Sequence, residues 1–338
     1  MNRKRDYISV LSVIACLAVV MMHVNKCWMV FSTEPYWISG IIIEGICNCA
    51  VPLFFMISGA TLIDYHQRYN TATFFKKRFL KTVVPFVVWS LFAMIYCIYT
   101  GQVTDYRVSR LLLGIINVEY ANLYWFFIPL FMAYLTIPVL AAIQDKKKVF
   151  GYMILAGTVV EFLLPFLSMV KGVPYNDYVR LPMFSGWILY LVVGYYIEQF
   201  EIPALLRYVI YGLGVAGALL IVVGTIRMSY AVGGLYGGYK GFINFPVLLY
   251  ASAVFLAFKQ LSGSKVEKLF VILTKPFVGA TFGVYLLHRF VLEIVNRFIP
   301  VDTTSLSYRI FGSVGIFVVS ALIVKVMQKI PVIKRIVP

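Results

Sequence analysis

Residues 7–24 form an apolar run that holds one imidazole, His23. An imidazole titrates near neutrality, so it can take a proton from a hydroxyl as a general base or carry a transferred group for a moment. An ionisable side chain within a stretch long enough to cross a bilayer is costly, and it marks a functional site by default. Ser9, Ser12, Cys16 and His23 fall at offsets 0, 3, 7 and 14, which places them on one stripe of a helix. Such a stripe faces protein or a water-filled cavity rather than lipid. The competing reading is a histidine that only hydrogen-bonds to a neighbouring helix.

Other residues could share that chemistry. Glu44 and Asn48 stand four apart in the next apolar segment, and a carboxylate beside an imidazole fixes its tautomer and raises its basicity. Glu161, late in the fifth segment, competes for that role. Thr281, Tyr285 and His288 lie on one helical face further on, with Arg289 and Glu293 as an i, i+4 pair able to neutralise each other. The tract Phe75-Lys76-Lys77-Arg78-Phe79-Leu80-Lys81 sets Lys77, Arg78 and Lys81 within one and a half turns. It reads either as a clamp for a polyanion such as the phosphates of coenzyme A or as lipid head-group contact. Asn122-Leu123-Tyr124-Trp125-Phe126-Phe127 opens another segment, and such aromatic clusters commonly form an interfacial belt.

The elements that must position these residues are membrane helices. Of 338 residues, 61% are hydrophobic and only 13% charged, against about 25% charged in soluble domains. Ten apolar segments of spanning length lie near 7–30, 41–63, 79–99, 124–143, 149–169, 183–200, 205–228, 243–258, 276–295 and 308–328. The expectation is a single all-α domain over residues 1–338, a polytopic transmembrane bundle of about ten spans. The basic start (Arg3, Lys4, Arg5) precedes an apolar run too long for a signal peptide.

The net charge of +16 does not point to nucleic acid, because the basic residues collect in short tracts between apolar spans. Arg3, Lys4, Arg5, Arg68, Lys76, Lys77, Arg78, Lys81, the lysines of 146–148, Arg207, Lys259, Lys265, Lys268, Lys275, Lys325, Lys329, Lys334 and Arg335 fall on the side of the N-terminus. These are 20 of the 30 Lys and Arg residues, and they predict both termini in the cytoplasm. The five cysteines read as small buried hydrophobes, and Cys47-x-Cys49 has neither redox nor zinc spacing, so no metal is expected. The glycine-rich stretch within 229–241 lacks a preceding strand and a Gly-Lys-Ser/Thr, which leaves a flexible or re-entrant outer loop.

Taken together, these blocks resemble acyltransferase family 3, integral-membrane enzymes that O-acylate sugars of surface polysaccharides, lipopolysaccharide or peptidoglycan. Tyr7-Ile8-Ser9-Val10-Leu11-Ser12-Val13-Ile14-Ala15 through Val19-Val20-Met21-Met22-His23 resembles the family's first span with its functional histidine. Val51-Pro52-Leu53-Phe54-Phe55-Met56-Ile57-Ser58-Gly59 is the most specific match, to the second-span signature. Tyr124-Trp125-Phe126 is similar to a Leu-Trp-Phe block, Gly283-Val284-Tyr285-Leu286-Leu287-His288 to a late Tyr-x-x-His block, and the tract through Lys81 and Pro85 to a basic third-span entrance.

The resemblance implies an acyl group, acetyl above all, taken from cytoplasmic acetyl-CoA as donor substrate and passed to a hydroxyl of an envelope glycan or its lipid-linked precursor. The place implied is the bacterial plasma membrane, among its lipids. His23 with Glu44 would be catalytic, Lys77, Arg78 and Lys81 would hold the donor, and Ser12, Asn48, Tyr124, Trp125, Tyr285 and His288 would line the cavity. One departure stands out: the family's basic residue eleven positions before the histidine is Ser12 here, and Arg5 could compensate by snorkelling. The alternative function is a glycan or polyprenyl-linked sugar exporter or flippase without acyl-transfer chemistry.

Overall fold

The computed structural model describes residues 6–181, 183–184 and 186–338, so Arg3, Lys4 and Arg5 lie outside the described residues. The described residues contain no β-strand. Their backbone groups pair along helices, as a hydrocarbon surrounding requires. Among the described residues, seven helices are long and apolar enough to cross a membrane: α1 (Asp6–Val24), α2 (Pro35–Gln67), α3 (Thr71–Tyr99), α4 (Asn122–Ala141), α5 (Lys147–Lys171), α7 (Ala204–Val232) and α11 (Tyr308–Gln328). Between α5 and α7 lies α6 (Gly186–Gln199), and α10 (Thr281–Phe298) precedes α11. A further pair, α8 (Phe245–Gln260) and α9 (Lys265–Phe277), bends by 105°, as a broken span or a re-entrant segment would.

All ten apolar segments of the sequence are therefore helical, and three of them differ from simple spans. The segment near 183–200 yields only 14 residues in α6, buried along most of its length. The segment near 243–258 is one arm of the bent pair. The helix of the segment near 276–295 runs from Thr281 to Phe298 and carries Arg289, Glu293 and Arg297, which lower its apolarity. The first helix ends with its apolar run at Val24, short of the expected segment near 7–30, and Lys26–Met29 form a short 3-10 turn beyond it.

Prolines leave local marks on these helices. Pro85 has no N–H to give and its ring crowds the carbonyl four residues back, and the turn before it widens into a π-helical stretch, Phe79–Val83. Pro165 stands behind the same feature at Thr158–Leu163. The core of the bundle is the contact of α2 with α6. A Cβ at Gly59 would lie 2.0 Å from the Leu191 carbonyl oxygen, and one at Gly194 2.2 Å from that of Met56. Two glycines facing each other's backbones let these helices approach more closely than any other residue would allow.

At the end of α1 a buried guanidinium ties three chain segments together. Arg309, 1% exposed, donates to Asn25 Oδ1 (3.2 Å), the Tyr36 carbonyl (3.1 Å), Ser39 Oγ (2.7 Å) and the Thr304 carbonyl (3.1 Å). Asn25 in turn donates to the Gly40 carbonyl at 2.8 Å. The turn that follows His23 is thereby fixed against the starts of α2 and α11.

Candidate functional site

The polar stripe of α1 faces α10. Ser12 Oγ lies 3.4 Å from Thr281 Oγ1, and Cys16 Sγ donates to the Thr281 carbonyl at 3.4 Å. His23 Nδ1 lies 3.1 Å from His288 Nε2, with the ring centroids 5.0 Å apart. Helical periodicity brings these three pairs together, because Ser12, Cys16 and His23 share one face of α1 while Thr281 and His288 share one face of α10.

The two rings fix each other's protons. His288 Nδ1 sits 2.9 Å from the Val284 carbonyl, an acceptor only, so this nitrogen carries the hydrogen and Nε2 keeps its lone pair. His23 Nδ1 faces that lone pair and also the Val19 carbonyl at 2.8 Å, so it is a donor as well. Nε2 of His23 is then the unprotonated nitrogen. It belongs to a ring that lines a cavity of about 520 Å³, which also touches Ser12, Lys26, Glu44, Trp125, Tyr285 and Arg289.

Glu44 lines the same cavity but does not take the imidazole as its partner. Its Oε1 accepts from Lys240 Nζ at 3.2 Å, both side chains being largely buried. The contact expected between carboxylate and His23 is made by His288 instead. Lys240 Nζ also sits over the Trp28 ring, 3.3 Å from its centroid, and burial lowers its ammonium below the usual lysine range while Glu44 opposes that shift. Glu161 lies elsewhere: it accepts the Leu181 N–H and stands 3.8 Å from Arg180.

Among the residues expected to line the cavity, Ser12, Trp125 and Tyr285 do so. Asn48, Tyr124 and His288 stand behind the wall, each held by a hydrogen bond. Asn48 Nδ2 donates to the Lys240 carbonyl (2.8 Å), and the Tyr124 hydroxyl donates to the Leu286 carbonyl (3.1 Å). His288, fully buried, is the second layer beneath His23. Tyr285 donates to the Leu123 carbonyl, which ties α10 to the aromatic opening of α4.

Lys77, Arg78 and Lys81 do not line this cavity. Lys77 Nζ sits 3.8 Å from the Tyr69 ring centroid, and the Arg78 guanidinium lies over Phe74 and Tyr134 at 5.9 and 5.8 Å. Lys81 is exposed, and Arg78 Nε is buried without a hydrogen-bond partner.

Several site residues escape a reading of the sequence. The glycine-rich segment before α8 is a strap over the cavity. Phe242 lines the cavity and stacks on Trp125 (5.7 Å, 17°), and its carbonyl accepts from Tyr190 at 2.6 Å. Lys240 pins the same strap to α2 through Glu44 and Asn48. The one usable signal for that strap was a lone lysine among glycines. Among the described residues no group of three or more His, Cys, Asp or Glu is placed to hold a metal ion.

A family model described as an acyltransferase domain, acyltransferase family 3, matches residues 5–325 of the 338. No curated protein and no solved structure matches the chain significantly.

Proposed function

The chain belongs to acyltransferase family 3, and from that membership we propose that this membrane acyltransferase is an O-acyltransferase of envelope glycans. It would take an acetyl group from cytoplasmic acetyl-CoA and place it on a hydroxyl of a glycan or of its lipid-linked precursor. The observation that carries this reading is the His23–His288 pair at the wall of a cavity, with the first ring's Nε2 left as a base.

In this mechanism His23 Nε2 takes the proton of the acceptor hydroxyl as its oxygen attacks the thioester carbonyl. The C–S bond breaks, the acyl ester forms, and the coenzyme A thiolate receives the proton from His23. His288 holds His23 in the productive tautomer throughout. The cavity runs along α1 from Ser12 to Lys26, roughly 20 Å at 1.5 Å per residue, so donor and acceptor can meet away from bulk water.

Lys77, Arg78 and Lys81 would hold the donor's phosphates at the cytoplasmic end of α3. The unpartnered Arg78 Nε supports that role, since a buried donor without an acceptor is costly unless a ligand supplies one. This arrangement goes with ten crossings and both termini in the cytoplasm of a bacterial plasma membrane. The purified chain incubated with radiolabelled acetyl-CoA tests the proposal. Transfer of label to a glycan, hydrolysis of the thioester or labelling of the protein supports it. Unchanged acetyl-CoA together with glycan uptake into vesicles would make the chain a carrier.

A further inference from the structure

His23, Lys26, Glu44 and Arg289 are the ionisable acid–base side chains that wall the cavity apart from tyrosine, and their charges do not cancel. Glu44 is matched by Lys240 at 3.2 Å. Lys26 and Arg289 remain, and among the described residues neither has a carboxylate within ion-pair distance. Glu293, expected to neutralise Arg289 from one turn away, accepts instead from the Tyr96 hydroxyl at 3.3 Å. Both side chains are exposed at the cavity rim, where water solvates them, so an anionic group entering the cavity meets two cations that no carboxylate of the described residues holds within ion-pair distance. Partial burial first, and the Arg289 charge second, lower the Lys26 ammonium below the usual lysine range, while the Glu293 carboxylate, beyond ion-pair distance, opposes that shift.

The position of the pair says what the ligand is. Lys26 stands three residues beyond His23, and Arg289 follows His288, whose ring touches His23. The backbone of each cation therefore lies within about one helical turn, some 5 Å, of a histidine of the pair, close to the width of one sugar ring, and both side chains share the cavity wall with His23. The stacked rings of Trp125 and Phe242 line the same cavity, aromatic surface of the kind against which a pyranose ring can lie.

We infer that the acceptor carries an anionic group, a carboxylate or a phosphate, within about one sugar ring of the hydroxyl that is acylated, and that Lys26 and Arg289 bind it. The inference rests on the acyl-transfer reading above and narrows its acceptor to acidic glycans or phosphate-linked sugars.

Equilibrium binding to the purified full chain tests it, with two pairs of probes that differ only in charge. One pair is tetragalacturonate and its methyl ester; the other is a decyl-phosphate-linked glucose and decyl glucoside. Wild type is expected to favour the charged member of at least one pair by roughly tenfold at low salt, as a charge-assisted contact implies. Lys26→Gln and Arg289→Gln should each erase most of that preference, with the two pairs telling a carboxylate ligand from a phosphate. No preference in wild type for either charged probe overturns the inference. So does an equal loss on charged and neutral probes, which would assign the two cations to the shape of the cavity.

Coenzyme A against dephospho-coenzyme A forms the third arm. If the variants weaken coenzyme A binding and leave the glycan preference intact, the rim reads the donor and the inference fails. Acetyl-CoA turnover of the same preparation separates the two claims. Charge preference without turnover keeps the anion site and removes the acyl-transfer reading, while turnover without preference does the reverse.

Discussion

A base needs a ring nitrogen with a free lone pair, and in this protein the partner that leaves one free is a second histidine. Val284 fixes His288, His288 fixes His23, and the remaining nitrogen of His23 belongs to the cavity. His23→Ala is expected to lower acyl transfer by roughly 10²–10⁴ at unchanged membrane levels, the usual cost of losing a general base. Near-normal transfer by that variant would end its assignment. His288→Phe fills the space without a ring nitrogen and removes one hydrogen bond worth about 1 kcal/mol, so kcat should fall roughly fivefold with the donor KM unchanged. A steady-state comparison of kcat and KM decides between this role and a purely structural one, which would instead lower the yield of folded protein.

Much of this was legible at the level of single residues. The offsets of Ser12, Cys16 and His23 point to one face, as do those of Thr281 and His288. That the two faces meet was not legible, because 265 residues separate the histidines and no local pattern encodes such a contact. Spacing alone offers Glu44, with Glu161 as its rival, as the imidazole's partner, and it shows nothing that would draw Glu44 elsewhere. Lys240, 196 residues away, captures it.

At the scale of elements, the helices follow apolar period and length, and their departures follow backbone chemistry. Proline widens α3 and α5 into π-helical turns, and glycine brings α2 against α6. Gly59→Val or Gly194→Val must push its side chain into backbone that cannot yield. Overpacking costs about 1–3 kcal/mol even where side chains can shift, so either variant should lower the melting temperature in detergent and the yield of folded protein. Gly151→Ala is the control: nothing lies within 4 Å of its new Cβ, and stability should hold or rise. The glycine of the Val51–Gly59 block is thus explained by packing, a reason the sequence motif alone does not reveal.

The basic entrance of α3 belongs to the same scale. Arg78, propped on Phe74 and Tyr134, is pre-oriented rather than free to wander. Arg78→Ala should raise the apparent donor KM by about tenfold, one charge-assisted phosphate contact, while insertion stays intact. An unchanged donor dependence would return the tract to a topological role.

For the whole molecule, orientation governs which substrate meets which face. Hydropathy and charge bias describe ten apolar segments and a two-to-one excess of basic residues on one side, whereas the described residues form seven helices long and apolar enough to cross a membrane, a bent pair, and the two helices α6 and α10 that fall short of that test. Short α6 escapes a length criterion because protein, not lipid, surrounds much of it. If both termini are cytoplasmic, as proposed, the connecting segments 32–40, 101–119, 170–182, 229–241 and 296–307 would face outward. Single cysteines placed in 229–241 of a chain stripped of its own cysteines should react with an impermeant maleimide in intact cells, and those in 146–148 should not. Labelling of 146–148 from outside would reverse the orientation and the donor route with it.

The two histidine rings also decide where a proton can go. The Nδ1 hydrogen of His23 is shared between the Val19 carbonyl and His288 Nε2, and the Nδ1 hydrogen of His288 goes to the Val284 carbonyl, which cannot accept a proton and pass it on. The pair is a closed end rather than a wire. In the acyl transfer proposed above, a proton taken up at the cavity would leave by the cavity, on the thiol of the spent donor, so no proton would pass along the histidine pair. The reaction would then neither draw on a proton gradient nor dissipate one, and turnover in proteoliposomes would be unchanged when the gradient is collapsed.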